Sequence, residues 1–284
     1  MTGPLSRLRE RVREREFQAP DASHQPRVPA RPPVFLPDSV TLCVVIVLFS
    51  DYGTAGPYIG QVEVVLHQGA PGVHVVNLFA DVPRQNPKAG AYLLPACAER
   101  SPLESVFFTV VDPGVGAGVD RPVAMRAGGR WFVGPDNGLF DILARRSAEV
   151  SVWEIDWEPE GCSNTFHGRD LYAPVCAMLA SGAPPPGRSV LWSDRHGWPD
   201  DLPEIIYMDH FGNAMTGLRA ETLKTDPEIT AAGRKLPSAA TFSHMREGEP
   251  FWYVNSLGLV EIAVNRGSAA DVLQLKVGDA ATSG

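Results

Sequence analysis

One short segment of the chain places three side chains suited to acid–base chemistry within four residues. It contains His167, Arg169 and Asp170, and an apolar helical pattern follows it directly. The segment therefore stands where a helix begins, and the N-terminus of a helix presents polar groups to a ligand. A second cluster lies upstream, where Asp112 is followed by Arg121. An Asp, an Arg and a His from two separate loops are enough to position and activate a water molecule.

Each of these residues also has a purely structural interpretation. A lone His is more often structural than functional, but the position of His167 between an aromatic residue and a glycine at a helix start favours function. Arg169 and Asp170 are expected to pair with each other or to cap the helix rather than to contact a substrate. Asp112 ends a predicted strand, where it either faces a ligand or forms a turn with Pro113 and the glycines that follow.

Two further carboxylates stand at places where a ligand can bind. Asp51 follows the first predicted strand, and ligands of open α/β sheets bind at the carboxyl ends of strands. Asp51 is therefore well placed for a ribose diol, with capping of the next helix as the alternative. Asp-His-Phe-Gly-Asn (209–213) interrupts a strand pattern. This segment is either the turn of an ordinary hairpin, or its carboxylate and amide side chains contact a ligand across the domain boundary.

Several common site types are excluded by their context. Three alternate glycines (114–118) follow a strand, but Pro122 and a β-like stretch replace the helix that a dinucleotide-binding fingerprint requires. No Gly-Lys-Ser/Thr sequence is present, which excludes a phosphate-binding loop. The seven histidines form no HExxH or HxH pair, and the adjacent Asp209 and His210 would point to opposite faces of a strand. We therefore predict no metal site and no cofactor.

The composition narrows the class of protein. A chain of 284 residues with 44% hydrophobic residues forms one or two domains with a substantial core. The net charge of -8 argues against nucleic acid as a partner. The longest apolar run (42–49) is shorter than the roughly 20 residues that span a bilayer. Four distant cysteines without a CxxC motif are typical of a reduced protein, so we expect a cytoplasmic location and no membrane partner.

The chain divides into three predicted regions. Residues 1–38 are rich in Arg and Pro and are predicted to be a disordered arm. In residues 39–186 strand and helix patterns alternate, which predicts an α/β catalytic domain with a largely parallel sheet. After Ala-Pro-Pro-Pro-Gly (183–187) strand patterns dominate, so residues 187–284 are predicted to form a smaller β domain.

The individual elements are predicted from hydrophobic spacing and turn residues. Thr54 is predicted to cap the first helix, with Pro57 in its first turn and Gly69 at its end. A hairpin is predicted through Gly128 and Gly129. The predicted strands are Val40–Phe49, Val73–Phe79, Ser105–Val111, Pro122–Arg126, Trp131–Val133, Glu204–Met208, Phe251–Val254 and Leu259–Val264, and the later helices are Ala89–Ala98, Leu139–Arg146 and Leu171–Leu179.

Six motifs, in this order, resemble those of one family. Together they extend over about residues 40–280 and resemble the S-adenosyl-L-methionine hydroxide adenosyltransferases, relatives of the fluorinase and chlorinase. Any one motif alone is a weak signal, whereas six in order are specific. The motifs are Ser-Asp-Tyr-Gly-Thr (50–54), Val-Asp-Pro-Gly-Val-Gly (111–116), Gly-Pro-Asp-Asn-Gly (134–138), Thr-Phe-His-Gly-Arg-Asp (165–170), Asp-His-Phe-Gly-Asn (209–213) and Asn-Arg-Gly-Ser-Ala-Ala (265–270).

The resemblance implies an activity, a fold and a set of site residues. The implied activity is hydrolysis of S-adenosylmethionine to adenosine and L-methionine. The implied fold is an N-terminal α/β domain with a C-terminal β-barrel-like domain, in a homotrimer whose sites lie between subunits. The family's water-activating residues correspond to Asp112, Arg121 and His167, and Asp51 would hold the ribose hydroxyls. The other implied substrate-binding residues are Asp209, Asn213, Ser256, Asn265 and Arg266.

The chain departs from the family pattern in one loop. Relatives carry a shorter loop after Val-Asp-Pro-Gly-Val-Gly and then two adjacent arginines, whereas here residues 117–120 precede Arg121 and Pro122. Asp120 can therefore pair with Arg121 and draw it away from a catalytic position. Two alternative hypotheses stay open: a protein that binds S-adenosylmethionine or adenosine without turnover, and a halide-dependent 5′-halo-adenosine synthase. The halogenases lack the Asp and His combination, which disfavours the second.

The implied substrate sets a simple chemical task. Methionine leaves the sulfonium as a neutral thioether, so no general acid is needed. Water must be held in line with the ribose C5′–S bond, and such alignment can contribute about 7 kcal/mol. A general base typically adds roughly 10²- to 10⁴-fold. The sequence leaves open which residue takes the proton.

Overall fold

A computed structural model describes residues 44–284 of the chain. The predicted arm of residues 1–38 and the start of the first predicted strand lie outside these described residues. The described part contains a seven-stranded sheet packed against helices and two smaller antiparallel sheets. None of its helices combines the length and the apolar character that crossing a membrane requires.

The seven-stranded sheet begins with four parallel strands. Its strands in chain order are β1 Val45–Ser50, β2 His74–Phe79, β3 Val106–Val110, β4 Pro122–Ala127, β5 Arg130–Pro135, β6 Val150–Ile155 and β7 Gly187–Val190. Across the sheet the order is β2-β1-β3-β5-β4-β6-β7. The strands β2, β1, β3 and β5 run parallel, and β4, β6 and β7 add antiparallel pairs. The predicted α/β class with a mainly parallel sheet is confirmed. Strand β7 belongs to this sheet although the sequence assigns residue 187 onward to the second region.

The central strands are buried on both faces, which explains their nearly continuous apolar sequences. Val47 and Phe49 of β1 pack into the core on one face, and Ile46 and Leu48 pack into the core on the other. The predicted hairpin between β4 and β5 is confirmed, because both residues of its turn, the glycines at 128 and 129, have positive φ. The sheet therefore forms a rigid layer with helices on both faces.

Four helices cover the two faces of this sheet, and a fifth, the last in the chain, packs against the C-terminal strands. Their bounds are α1 Tyr58–Gly69, α2 Pro87–Ala98, α3 Asp141–Arg146, α4 Ala173–Ala180 and α5 Ala269–Leu273, and a π-helical turn, Gly168–Tyr172, leads directly into α4. The first four correspond to predicted helices. The prediction that Thr54 caps α1 is wrong, because the helix begins at Tyr58 and Pro57 occupies the cap position. Gly56, with φ of 111°, breaks the helical path between Thr54 and the helix.

The C-terminal part is built from antiparallel strands. Their bounds are β8 Leu202–Met208, β9 Ala214–Arg219, β10 Ile229–Ala231, β11 Arg234–Leu236, β12 Pro250–Val254, β13 Leu259–Val264 and β14 Ala281–Ser283. They form a four-stranded sheet in the order β12-β13-β9-β8 and a three-stranded sheet in the order β11-β10-β14. The predicted second, mostly β part is confirmed at this level, and its closure into a barrel stays a prediction.

Candidate active site

The carboxyl ends of β1 and β3 lie beside a cavity of about 280 Å³. Asp51 follows β1 directly, and Asp112 lies two residues beyond the end of β3. Because β1 and β3 are parallel neighbours, both carboxylates lie at the same edge of the sheet. His167 reaches this cavity from the loop before the π-helical turn. Three of the predicted site residues, Asp51, Asp112 and His167, therefore line one cavity.

Aromatic side chains form another wall of this cavity. The ring centroids of Tyr52 and Phe166 lie 5.7 Å apart, and those of Tyr58 and Phe166 lie 5.4 Å apart. A Cβ atom on Gly168 would lie 1.9 Å from the Tyr52 hydroxyl, so only glycine permits this approach. Tyr52 lies in the motif at residues 50–54, but neither Tyr52 nor Tyr58 was among the predicted site residues. Tyr58 is 51% exposed.

Asp112 has the electrostatic environment of a proton acceptor. Burial raises the pKa of its carboxyl, and the nearby charges of Asp120 and Asp51 raise it further. The backbone N–H of Gly114 donates to Asp112 Oδ1 at 3.2 Å, and this bond and the charge of His167 both lower the pKa. A carboxyl whose pKa is raised inside a cavity holds a proton more readily than one at the surface, which is typical of functional sites.

His167 is held at the start of the π-helical turn by its neighbours. Arg169 Nε donates to Asp170 Oδ1 at 2.6 Å and Arg169 Nη2 donates to Asp170 Oδ2 at 2.8 Å, so the predicted pairing of these two residues is confirmed. Asp170 Oδ2 also accepts from the backbone N–H of Ser163 at 3.0 Å. The His167 side chain makes no capping hydrogen bond to the helix. Its ring thus faces the cavity while the adjacent pair orders the loop.

Arg121 lies in a different environment from the other two predicted catalytic residues. Its Nη2 and Nε donate to Asp136 Oδ2 at 2.6 Å and 3.1 Å, and its Nη1 lies 3.5 Å from Glu154 Oε2. Arg195 Nη2 donates to the same Asp136 oxygen at 2.8 Å. Arg121 does not line the cavity that holds Asp112. The partner of Arg121 is Asp136 rather than Asp120, the partner suggested by the sequence.

Asp51 is positioned by the loop before α2. The backbone N–H of Gln85 donates to Asp51 Oδ2 at 2.9 Å. Burial raises the pKa of Asp51, and the Gln85 hydrogen bond lowers it. Asp51 does not cap α1, whose cap position is Pro57 without a side-chain hydrogen bond. Of the two interpretations of Asp51, its place in the cavity favours ligand binding.

Asp209 and Asn213 are joined in the turn between β8 and β9. Asp209 Oδ1 accepts from the backbone N–H groups of Phe211 and Asn213 at 2.9 Å and 2.8 Å, and Asp209 Oδ2 accepts from Asn213 Nδ2 at 2.9 Å. Asn213 Oδ1 is buried and has no hydrogen-bond partner among residues 44–284. The ring of Phe211 is 74% exposed beside this turn. The turn therefore holds the side chains of Asp209 and Asn213 in a fixed position next to the solvent-exposed ring of Phe211.

The other three predicted binding residues are divided between the two ends of the four-stranded sheet. Asn265 follows β13 and donates from Nδ2 to the carbonyl of Met245 at 2.7 Å. Arg266 has φ of 52° and lies 3.4 Å from Glu247. Ser256 is in the turn between β12 and β13, at the opposite end of β13. None of the five C-terminal residues lines the cavity of Asp112 and His167.

A second cavity, of about 330 Å³, shares Asp112, Val115 and His167 with the first. The loop after Asp112 packs against the His167 loop at Gly116, where a Cβ would lie 2.1 Å from the carbonyl oxygen of Asn164. A larger cavity of about 760 Å³ is lined by none of the predicted site residues. Size alone therefore does not locate the candidate site, whereas convergence of Asp51, Asp112 and His167 does.

Comparisons with known proteins agree with the motifs. The family models for the SAM hydroxide adenosyltransferase N-terminal and C-terminal domains match residues 46–188 and 203–282. The chain is 39% identical to an (R)-S-adenosyl-L-methionine hydrolase of Thermus thermophilus, over 81% of this chain and 95% of the relative. It is 36% identical to an enzyme of the same name from Salinispora arenicola, over 81% and 94%. A crystal structure of an uncharacterized conserved protein from Thermotoga maritima matches with a TM-score of 0.76 at 28% identity, covering 84% of this chain and 99% of that one.

Proposed function

The chain belongs to the SAM hydroxide adenosyltransferase family, and on that premise we propose that it hydrolyses S-adenosyl-L-methionine to adenosine and L-methionine. One observation carries the proposal: Asp112 and His167, from separate loops, line the same cavity as Asp51. The relatives named as hydrolases of this substrate are similar to the chain over 95% and 94% of their own length.

The proposed reaction is an in-line displacement at ribose C5′. A water molecule between Asp112 and His167 attacks C5′, the C–O bond forms, and the C5′–S bond breaks with its electron pair moving to sulfur. Methionine leaves as a neutral thioether, and the water proton passes to Asp112 or His167 and then to solvent. The raised pKa of Asp112 makes it a competent acceptor. The reaction needs no cofactor.

The remaining parts of the first cavity suit the rest of the substrate. Asp51, ordered by the Gln85 N–H group, is proposed to accept hydrogen bonds from the ribose hydroxyls. The aromatic wall of Tyr52, Tyr58 and Phe166 is proposed to shield the C5′–S bond from bulk water. Arg121 joins this set only when its guanidinium leaves Asp136, so its proposed catalytic role depends on that ion pair.

We propose that the complete site lies between subunits of a homotrimer, as the family resemblance implies. The support is that the C-terminal residues Asp209 and Asn213, which form a fixed polar pair, do not line the cavity of Asp112 and His167 within one chain. In the proposed trimer, both sets contact one substrate because the second set comes from another copy of the chain. The exposed ring of Phe211 beside Asp209 would then be covered by that copy.

Complementation between two inactive variants tests the shared site. Asp112→Asn and Asp209→Ala chains, co-expressed in equal amounts, should form mixed trimers in which about one quarter of the sites contain neither change. We expect about one quarter of wild-type turnover from the mixture and nearly none from either variant alone. Light scattering of the wild type should report three chains per particle. A mixture as inactive as its components would contradict sites built from two chains.

A second candidate function is retention of S-adenosylmethionine without turnover. The observation that favours it is the engagement of Arg121 by Asp136 and Glu154, away from Asp112. A protein of this kind would bind the substrate tightly and release no methionine.

Product analysis separates these functions. Purified protein is incubated with S-adenosylmethionine, with and without chloride, and adenosine, methionine and 5′-chloro-adenosine are measured by chromatography. We expect adenosine and methionine in equal amounts, lost in His167→Ala. Unchanged substrate with binding still seen by calorimetry would favour the non-catalytic protein. Formation of 5′-chloro-adenosine only when chloride is present would instead identify a halide-dependent synthase.

A further inference from the structure

The two cavities that meet at Asp112 and His167 differ in the residues that line them. The first contains Asp51, which suits the ribose hydroxyls, and three aromatic side chains, which provide apolar surroundings. The second is lined by the loop after Asp112 and by residues 155–158, at the end of β6 and directly after it. Of the described residues, Asp112, Val115 and His167 line both. The proposed water-activating pair therefore stands at the boundary between two spaces of different character.

The second cavity is lined by carboxylates. Besides Asp112 they are Asp120, Asp156 and Glu158, and among residues 44–284 no Lys or Arg lines it. Asp120 is close to the catalytic carboxylate: Asp120 Oδ2 and Asp112 Oδ1 lie 3.0 Å and 3.8 Å from the point where a Cβ on Gly114 would stand. Three carboxylates thus add negative charge beside Asp112, and the lining also contains the imidazole of His167. Burial and the charge of Asp136 raise the pKa of Asp120. The charges of Arg195 and His196, which are not part of the described lining, lower that pKa.

We propose that this second cavity supplies the nucleophile and that Asp120, Asp156 and Glu158 select water over anions. The inference rests on the proposed hydrolysis of S-adenosylmethionine. In-line displacement requires that the nucleophile reach C5′ from the side opposite the leaving sulfur. A cleft lined by one sign of charge raises the local concentration of ions of the opposite sign and lowers that of like-charged ions by factors on the order of 10 to 10³. Water is neutral and passes without this penalty.

The competing reaction is chemically simple. Azide, a strong anionic nucleophile, would form a C5′–N bond while the C5′–S bond breaks and its electron pair moves to sulfur. The products are neutral 5′-azido-5′-deoxyadenosine and methionine, and no proton has to be removed. Nothing in the displacement itself therefore disfavours the anion, so the proposed selection acts on the approach of the anion to C5′.

The test measures the ratio of azide product to adenosine in one reaction mixture. Wild type and the double variant Asp156→Asn/Glu158→Gln are incubated with S-adenosylmethionine and the same azide concentration at low ionic strength. We expect the ratio to rise by about tenfold in the double variant. Because both products come from the same folded molecules, a loss of active protein cancels in the ratio. Glu160→Gln, which removes a charge two residues away but outside the cavity lining, is the matched control and should leave the ratio unchanged.

Ionic strength provides a second measurement. An inert salt screens exposed charges over about 8–10 Å at 0.1–0.15 M, so it should raise the azide ratio of the wild type and change that of the double variant less. An unchanged ratio in a double variant that still forms adenosine would overturn the inference and leave the hydrolase intact. A wild type that forms no adenosine under any condition would overturn the proposed function and this inference with it.

Discussion

Two aspartates at the same edge of the large sheet have opposite surroundings. Asp112 follows β3 and Asp136 follows β5, and these strands are parallel neighbours. Asp112 accepts a backbone N–H from Gly114, faces two cavities and has a raised pKa. Asp136 is 2% exposed and accepts from two guanidinium groups. Both lie in Asp-containing, glycine-rich motifs, so the residue type does not distinguish their roles.

At one edge of the sheet, one aspartate is placed for reactivity and the other stabilises the fold. The negative charge of Asp136 is compensated by Arg121 and Arg195. These ion pairs link the residues at the start of β4 and the end of β5 to the segment after β7. Asp112 has no cation partner of that kind in the described part of the chain, and its burial and acidic neighbours keep its pKa raised. Proteins commonly accept such local instability where reactivity requires it.

The largest expected effect is that of Asp112→Asn. The amide cannot accept a proton, so we expect turnover of S-adenosylmethionine to fall by roughly 10²- to 10⁴-fold. The folded state should not lose stability, because a carboxyl with a raised folded pKa destabilises the fold once pH exceeds that pKa. Melting at pH 7 should therefore be equal to or above that of the wild type, and the difference should vanish at acidic pH. A variant that melts far below the wild type would contradict this distinction between the two aspartates.

Asp136→Asn should show the reverse pattern. Removal of the carboxylate leaves Arg121 and Arg195 without their shared partner, and we expect a loss of about 2 kcal/mol in the free energy of unfolding. The cost stays below that of breaking a fully buried pair because the two arginine side chains are 33% and 44% exposed and solvent takes over part of their solvation. The expected fall in melting temperature is roughly 4–8 °C. Calorimetry of Asp136→Asn and Asp112→Asn under the same conditions measures both melting temperatures. Equal melting temperatures would contradict the different roles assigned to the two aspartates.

Arg121→Gln and Arg195→Gln form a matched pair, since both arginines donate to Asp136 Oδ2. If Arg121 stays with Asp136 during turnover, both variants should retain kcat within about tenfold of the wild type. Steady-state measurement of kcat for both variants tests whether Arg121 has a structural or a catalytic role. A loss of more than about 10²-fold confined to Arg121→Gln would show that this arginine moves to Asp112 when substrate binds.

Asp120→Asn should have the smallest effect, a change in pH dependence. The groups that influence Asp112 are Asp51, Asp120, His167 and the Gly114 N–H, and removing the charge of Asp120 lowers the pKa of Asp112. Asp112 accepts a proton only when ionised, so the acid limb of the kcat/KM profile should move to lower pH. Glu160→Gln is the control. An acid limb that stays in place would mean that Asp112 does not control it.

Several features could be predicted from the sequence because they depend on neighbours along the chain. The apolar runs of β1 and β3, the paired glycines between β4 and β5, and the pairing of Arg169 with Asp170 are all local. The position of Asp51 at the end of a strand could be predicted for the same reason. The cap of α1 was predicted wrongly, at Thr54 instead of Pro57, because the positive φ of Gly56 is not evident from residue types alone.

The sequence by itself determined the family, the activity proposed for it and the mainly parallel sheet, since motif order and periodicity are properties of the chain. Only the tertiary structure decided which groups meet. Arg121 is drawn to Asp136 because β4 and β5 pair antiparallel and bring residues 121 and 136 together. Likewise Asp112 and Asp120 share a cavity with residues after β6, because β4 pairs with both β5 and β6. Charges far apart in the chain interact only through such contacts, and these contacts decide which carboxylate is compensated and which one remains reactive.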